Sequence, residues 1–167
     1  MPDFTLRMEN TSSQEVRVEP ATIEELPRLI DLLGDLFREE ADFEPNAAAQ
    51  ERGLRLILEN PTRGRIFVVR KGQQIVGMVN LLFTVSTAHG GHAILLEDVV
   101  IAAEYRDLGY GAKLMEHVIQ YARRKDFVRI TLLTDRISTD SQRFFQRFGF
   151  VRSEMVPMRL VLRGVGA

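Results

Sequence analysis

The chain contains no cysteine in its 167 residues, which excludes disulfides, thiolate metal sites and a cysteine nucleophile. Histidine is scarce: His89, His92 and His117 lack the spacing of a zinc or facial-triad site. His89 and His92 flank Gly90-Gly91, where solvated loop histidines are expected. An excess of one charge is also missing. The 22 Lys and Arg stand against 23 Asp and Glu, a net charge of −1, which argues against a dedicated nucleic-acid partner. The basic run Arg123-Arg124-Lys125 is short and falls at an expected helix end, where cations suit the dipole. No stretch approaches the roughly 20 apolar residues that cross a bilayer. The N-terminus, with Asp3 and no apolar run, does not read as a signal peptide. A cytoplasmic protein without a membrane partner is the expectation.

What is present is an ordinary soluble balance, 45% apolar and 27% charged, in a length that suits one domain with a real core. Residues 1–14 are polar and patternless and read as a loose tail, leaving residues 15–167 as a single domain. Val16 and Val18 alternate with charged residues, as in a short strand. Thr22 with Glu25 forms a capping box that opens a helix through Leu26, Leu29, Ile30, Leu33, Leu36 and Phe37. A second helix is expected from Asn46 to Glu59, stopping at Asn60-Pro61. Ile66–Val69, Ile75–Phe83 and Ala93–Ile101 read as strands, with a turn at Lys71-Gly72-Gln73 and a loop from Thr84 to His92.

After the Arg106–Gly111 turn, a helix runs to about Lys125, then a strand from Val128 to Leu133. A helix from Ser138 to Phe148 ends at Gly149, and one or two strands follow over Val151–Val161. The order β-α-α-β-β-β-α-β-α-β predicts an α/β (α+β) fold: a mixed sheet, antiparallel at first and then parallel through a right-handed crossover, with helices on both faces.

The informative segment runs from Leu95 to Ala112. An apolar strand bearing Glu97 and Asp98 passes through a short turn into a helix whose entrance carries Gly109 and Gly111. Helix N-termini leave N–H groups unpaired and attract phosphate. Glycine lets phosphate oxygens approach the backbone, and Arg106 can add a charge-assisted contact. A Walker loop is absent, and the dinucleotide fingerprint fails because residue 114 is Leu. Taken alone, R-x-x-G-x-G could equally be a plain helix start; its place after an acid-bearing strand in this element order raises it.

Arg106-x-x-Gly109-x-Gly111-Ala112 resembles the acetyl-CoA pyrophosphate motif of the GCN5-related N-acetyltransferases (GNAT), and Phe144-Phe145-Gln146-Arg147-Phe148-Gly149-Phe150 resembles their F-Y-x-x-x-G-F block. The resemblance spans roughly residues 15–162 and implies the GNAT fold, with acetyl-CoA as co-substrate. Residues Arg106, Asp107, Leu108, Gly109, Tyr110, Gly111 and Ala112 would then bind pyrophosphate. Main-chain groups of Val99, Val100 and Ile101 would pair with pantetheine, with Ser138, Ser141 and Phe145 also on the cofactor. It further implies a homodimer through the C-terminal strands.

The implied reaction is direct attack of a primary amine, of a small molecule or a protein, on the acetyl thioester. An alkylammonium with pKa ~10 must first lose a proton, and a carboxylate of raised pKa can take it. Glu97 and Asp98 are the candidates. Adjacent strand residues face opposite ways, and similarity to the spermidine/spermine acetyltransferase strand favours Glu97. The alternative is that both acids simply hold loop N–H groups. The family's proton-donating tyrosine is replaced by Phe145, and its frequent asparagine by Ser138, which leaves water, Ser141 or Thr139 to protonate the thiolate. A CoA-binding regulatory domain with weak or no catalysis is therefore the alternative function, and a cofactor-free interaction domain a third. Glu39, Glu40, Asp42 and Glu44 would suit a cationic amine, although a solvated charged loop is the commoner meaning of such a set.

Overall fold

Apolar residues at helical spacing, begun at a capping box, become a single 3₁₀ turn at Ile23–Glu25 followed by helix α1 (Leu26–Glu39). The Thr22 N–H donates to Glu25 Oε2 at 2.9 Å, satisfying one donor that the helix start would otherwise leave free. The computed structural model describes residues 15–40, 42–134 and 138–162, so the expected 1–14 tail lies outside the described residues. Helix α2 (Ala47–Leu58) starts where Asn46 accepts the Ala49 N–H at 3.0 Å.

Strands β1 (Val16–Pro20), β2 (Gly64–Lys71), β3 (Gln74–Ser86), β4 (Gly91–Ile101) and β5 (Arg129–Leu132) form one sheet in the order β1-β2-β3-β4-β5. The first four are antiparallel; β5 lies parallel to β4, joined through helix α3 (Tyr110–Arg124). Helix α4 (Thr139–Gln146) follows. This is the expected mixed sheet.

The two faces of the sheet bury different residues, as the period-two pleat requires. Phe67, Val69, Val79, Leu81 and Leu96 pack with Leu114, Met115 and Val118 of α3. Ile66, Val68, Met78 and Val100 pack with Leu29, Leu32 and Leu54 of α1 and α2. Helices therefore cover both faces, which explains why β2 and β3 read as continuous apolar runs. No helix among the described residues is long and apolar enough to cross a membrane.

Two expectations need correction. Thr84–His92 is not one loop: β3 continues to Ser86 and β4 starts at Gly91, so the turn shrinks to residues 87–90. β-branched Thr84 and Val85 pair with Ala93 and His92, and the Phe83 ring meets Phe127 at 5.0 Å. Packing and pairing outweigh the polar character of the segment. The strands expected over Val151–Val161 do not form among the described residues, where the apolar side chains of that segment stand exposed.

One ion-pair cluster locks β1, β2 and the α1 entrance together. The Arg70 guanidinium, 12% exposed, donates to the carboxylates of Glu19 and Glu25 and to the Gln73 carbonyl at 3.2 Å. Removing one member of a desolvated pair leaves the other charge uncompensated. Arg70→Ala is expected to lower stability by about 3 kcal/mol, read as a fall in the urea midpoint at unchanged m-value.

Candidate active site

The site begins where two strands part. β5 pairs with β4 only from Ala93↔Arg129 to Leu96↔Leu132, while β4 continues to Ile101 against β3 on its other side. Along residues 97–101, no described strand covers the β5-facing edge of β4. Such an edge offers backbone donors and acceptors to an extended ligand. Val99 and Ile101 are half-buried and Val100 is in the core. The Ala102 N–H bonds the Val76 carbonyl, so Val100, of the same parity and opposite Met78, turns its main chain to β3, and Val99 and Ile101 turn theirs to the gap. The Ile101 carbonyl is already engaged, accepting from Arg106 Nε at 3.0 Å.

At the head of the gap, β4 carries a bulge. Met78 faces Val100 and Asn80 faces Glu97, so Asp98 and Val99 together oppose Val79. Asp98 takes φ 52°, a left-handed conformation that aspartate tolerates better than most residues. The strict alternation expected for Glu97 and Asp98 therefore does not hold here. Asn80, 3% exposed, donates from Nδ2 to Asp98 Oδ2 at 2.5 Å, and its own Oδ1 is buried without a partner. Burial pushes the Asp98 carboxyl up to about 6; the Asn80 hydrogen bond opposes this and the neighbouring Glu97 charge adds to it. Glu97 is half-buried beside it. Sequence reasoning missed Asn80, although an amide inside an otherwise apolar strand was a visible signal.

The turn after β4 is wound by left-handed residues. A 3₁₀ turn (Ala103–Tyr105) leads to Arg106, then Asp107 at φ 59° and Gly109 at φ 88°, the N-cap of α3. Leu108 is exposed. The first N–H groups of α3, over residues 110–112, have no intrahelical acceptor and form an anion-binding end. Gly109 meets open space, so its role is conformational and the approach stays clear. Gly111 differs: a Cβ there would sit 3.3 Å from the Phe144 ring. Its missing side chain lets α3 pack on α4. Tyr110 is buried, edge-on to Tyr105 at 5.9 Å, so only its main chain faces the turn. Ala112 is half-buried. Arg106 Nη2 donates to Glu39 Oε1 at 2.9 Å, which joins the turn to the acidic segment after α1.

At the start of α4, Ser138 is the N-cap; its Oγ lies 3.4 Å from the Ser141 N–H and 2.9 Å from Ser141 Oγ. Phe145 packs against Phe144 at 5.1 Å and Phe150 at 5.9 Å. No tyrosine stands in for the residue replaced at Phe145: Tyr121 lies against Phe67, and the Tyr105 hydroxyl donates to Gln74. Of the acidic set, Glu39 serves Arg106 and Asp42 meets Arg159 at 3.4 Å. His89 stays in the β3–β4 turn, its Nδ1 3.1 Å from Ser86 Oγ.

Gly109→Ala is expected to cost about 1–2 kcal/mol because the left-handed conformation now carries a Cβ. Gly111→Ala should shift the Phe144 ring by a few tenths of an ångström, read as changed NMR shifts of that ring. A Gly109→Ala variant as stable as the parent in thermal unfolding, or an unmoved Phe144 ring in Gly111→Ala, would refute these roles.

The profile of the Acetyltransferase (GNAT) family matches residues 26–150. A 62-residue stretch, 37% of this chain, is 34% identical to "Probable N-acetyltransferase camello" of Xenopus tropicalis, of whose length the match takes in 28%. A possible acetyltransferase from Clostridium difficile 630 superimposes with a TM-score of 0.80 at 13% identity, over 89% of this chain and 99% of that one. An integron cassette protein from the mobile metagenome of Cole Harbour Salt Marsh does so with 0.78 at 24% identity, over 96% and 97%. These likenesses are in fold, and the family profile supplies the kinship: the chain belongs to the GNAT family of acetyltransferases.

Proposed function

We propose that the protein transfers an acetyl group from acetyl-CoA to a primary amine of a small molecule or a protein. The observation that carries this reading is the free β4 edge at residues 97–101, bounded by half-buried Asp98 with its buried partner Asn80 at one end and the α3 N-terminus at the other. That arrangement suits a ligand with a strand-like arm and a pyrophosphate. Acetyl-CoA, when bound, supplies the acetyl group as an activated thioester.

The protein's residues supply the rest. N–H groups at residues 108–112 and the Arg106 guanidinium hold the pyrophosphate, and the main chain of Val99 and Ile101, on the free edge of β4 beside Val100, aligns the pantetheine arm. Asp98 is the base. Its carboxyl, raised to about 6 by burial, is ionised at neutral pH yet basic enough to take the ammonium proton, directly or through water. This assigns to Asp98 the role that sequence similarity favoured for Glu97. Asn80 holds the Asp98 carboxylate in place. Ser141, hydrogen-bonded to Ser138, gives a proton to the departing sulfur in place of the missing tyrosine.

The Phe145 substitution supports a second reading, a CoA-binding regulatory domain with weak or no catalysis. Ligand binding without thiol release across an amine panel would establish that reading instead. Acetyl-CoA at about 100 times its Kd should stabilise the fold by ~2.7 kcal/mol; no thermal shift with acetyl-CoA, CoA or longer acyl-CoAs would refute both.

Asp98→Asn should lower kcat by roughly 10²–10⁴-fold, whereas Glu97→Gln should retain most of it. A proton acceptor works only when deprotonated, so kcat/KM should fall about tenfold per unit below about pH 6. Because the Asn80 hydrogen bond favours ionised Asp98, Asn80→Leu should move this acidic limb upward by about one pH unit. A uniform rate loss with an unmoved limb would show that Asn80 is merely structural.

A further inference from the structure

A buried glycine stands where the free end of β4 comes closest to the rest of the sheet. Gly77 lies inside β3, with Ile75, Val76, Met78 and Val79 buried on either side of it. A glycine within a strand gives up packing and chain order, and it often marks the close approach of another backbone. Here the approach comes from β4, because Gly77 is the register partner of Ile101.

A Cβ on Gly77 would meet the Ile101 Cδ1 methyl, the Val100 carbonyl oxygen at 2.7 Å and Val69 Cγ1 of β2 at 3.0 Å. The methyl ends a side chain and could turn, but the carbonyl is main chain. To reach an ordinary contact of 3.4 Å, β4 would have to move by roughly 0.7 Å. That movement has one direction open to it. β2 holds the other edge of β3, whereas no described strand lies beyond β4 along residues 97–101.

Ile101 is also closed in from the helix side. Its Cγ1 lies 3.8 Å from where a Gly111 Cβ would stand, and the Phe144 ring of α4 reaches the same place at 3.3 Å. One isoleucine is thus seated between two glycines, Gly77 of β3 and Gly111 in the first turn of α3. Its main chain faces the gap, and its carbonyl accepts from Arg106 Nε at 3.0 Å. A single residue touches the sheet, the helix N-terminus and the turn that joins them.

We propose that Ile101, seated in the hollow left by Gly77, is the positioning residue that sets the spacing between the β4 edge and the α3 N-terminus. The proposal rests on the acetyl-CoA reading above, since a ligand with a strand-like arm and a pyrophosphate must meet both surfaces at once. Binding constellations are held to within about 0.5 Å of their productive geometry. A shift of β4 into the gap therefore puts the two contacts out of step without removing either.

CoA itself is the probe. Gly77→Ala should weaken CoA binding roughly tenfold or more, measured by calorimetry at a temperature where the variant is folded. Ile101→Val removes only the Cδ1 methyl and should weaken it about threefold; it serves as the test if the alanine variant does not fold. At saturating CoA, amide exchange separates misalignment from general damage. Both variants should keep protection at residues 108–112 and lose part of it at Val99 and Ile101. Variants that bind CoA as the parent does, or that lose protection of both segments in parallel, would overturn the proposal and leave the acetyl-CoA reading standing. A parent that binds no CoA would refute both.

Discussion

The site depends on one mismatch of length: β4 runs on through residues 97–101 after its parallel neighbour β5 has ended at Leu132. Parallel strands need a crossover, and here α3 provides it. Because β5 joins β4 only at Ala93–Leu96, the rest of β4 keeps one side of its ladder free while β3 holds the other. The turn from β4 into α3 then sets a helix N-terminus at the far end of the same edge. A main-chain surface and an anion-binding end thus arise from topology, with few side chains committed to either.

The bulge at Asp98 supplies the proposed base. An extra residue in β4 breaks the pleat, and the left-handed backbone directs a carboxyl into surroundings dry enough to raise its pKa to about 6. Burying a carboxylate is costly unless it is hydrogen-bonded. Asn80 answers part of that cost from the facing strand, at the expense of its own buried Oδ1. Strain and an unpaired polar atom in one place are more at home in a working site than in a purely structural one.

Much of this was legible in the sequence. Helical spacing from Leu26 to Phe37, the Thr22–Glu25 cap and the Asn46 cap fixed the first two helices, since local capping and periodicity suffice there. Gly109 announced the α3 entrance because its φ of 88° suits few other residues. Other features depend on distant partners and could not be read locally. The Asp98 bulge exists only in register with β3, and Asn80 meets Asp98 across 18 positions. Gly111 reads locally as a helix-entrance glycine, but its close packing against the Phe144 ring of α4 depends on a partner 33 positions away. The C-terminal apolar alternation over Val151–Val161 suggests strands, but a strand needs a paired edge, and among the described residues that segment forms none.

The central claim is that the free edge of β4 and the N-terminus of α3 form one binding surface for acetyl-CoA. Backbone amide exchange measured with and without acetyl-CoA tests it most directly. The expected result is slowed exchange at residues 97–101 and 108–112 together, with the antiparallel β1–β2 ladder unchanged. Protection of neither segment, or protection elsewhere while these amides exchange as before, would contradict the account.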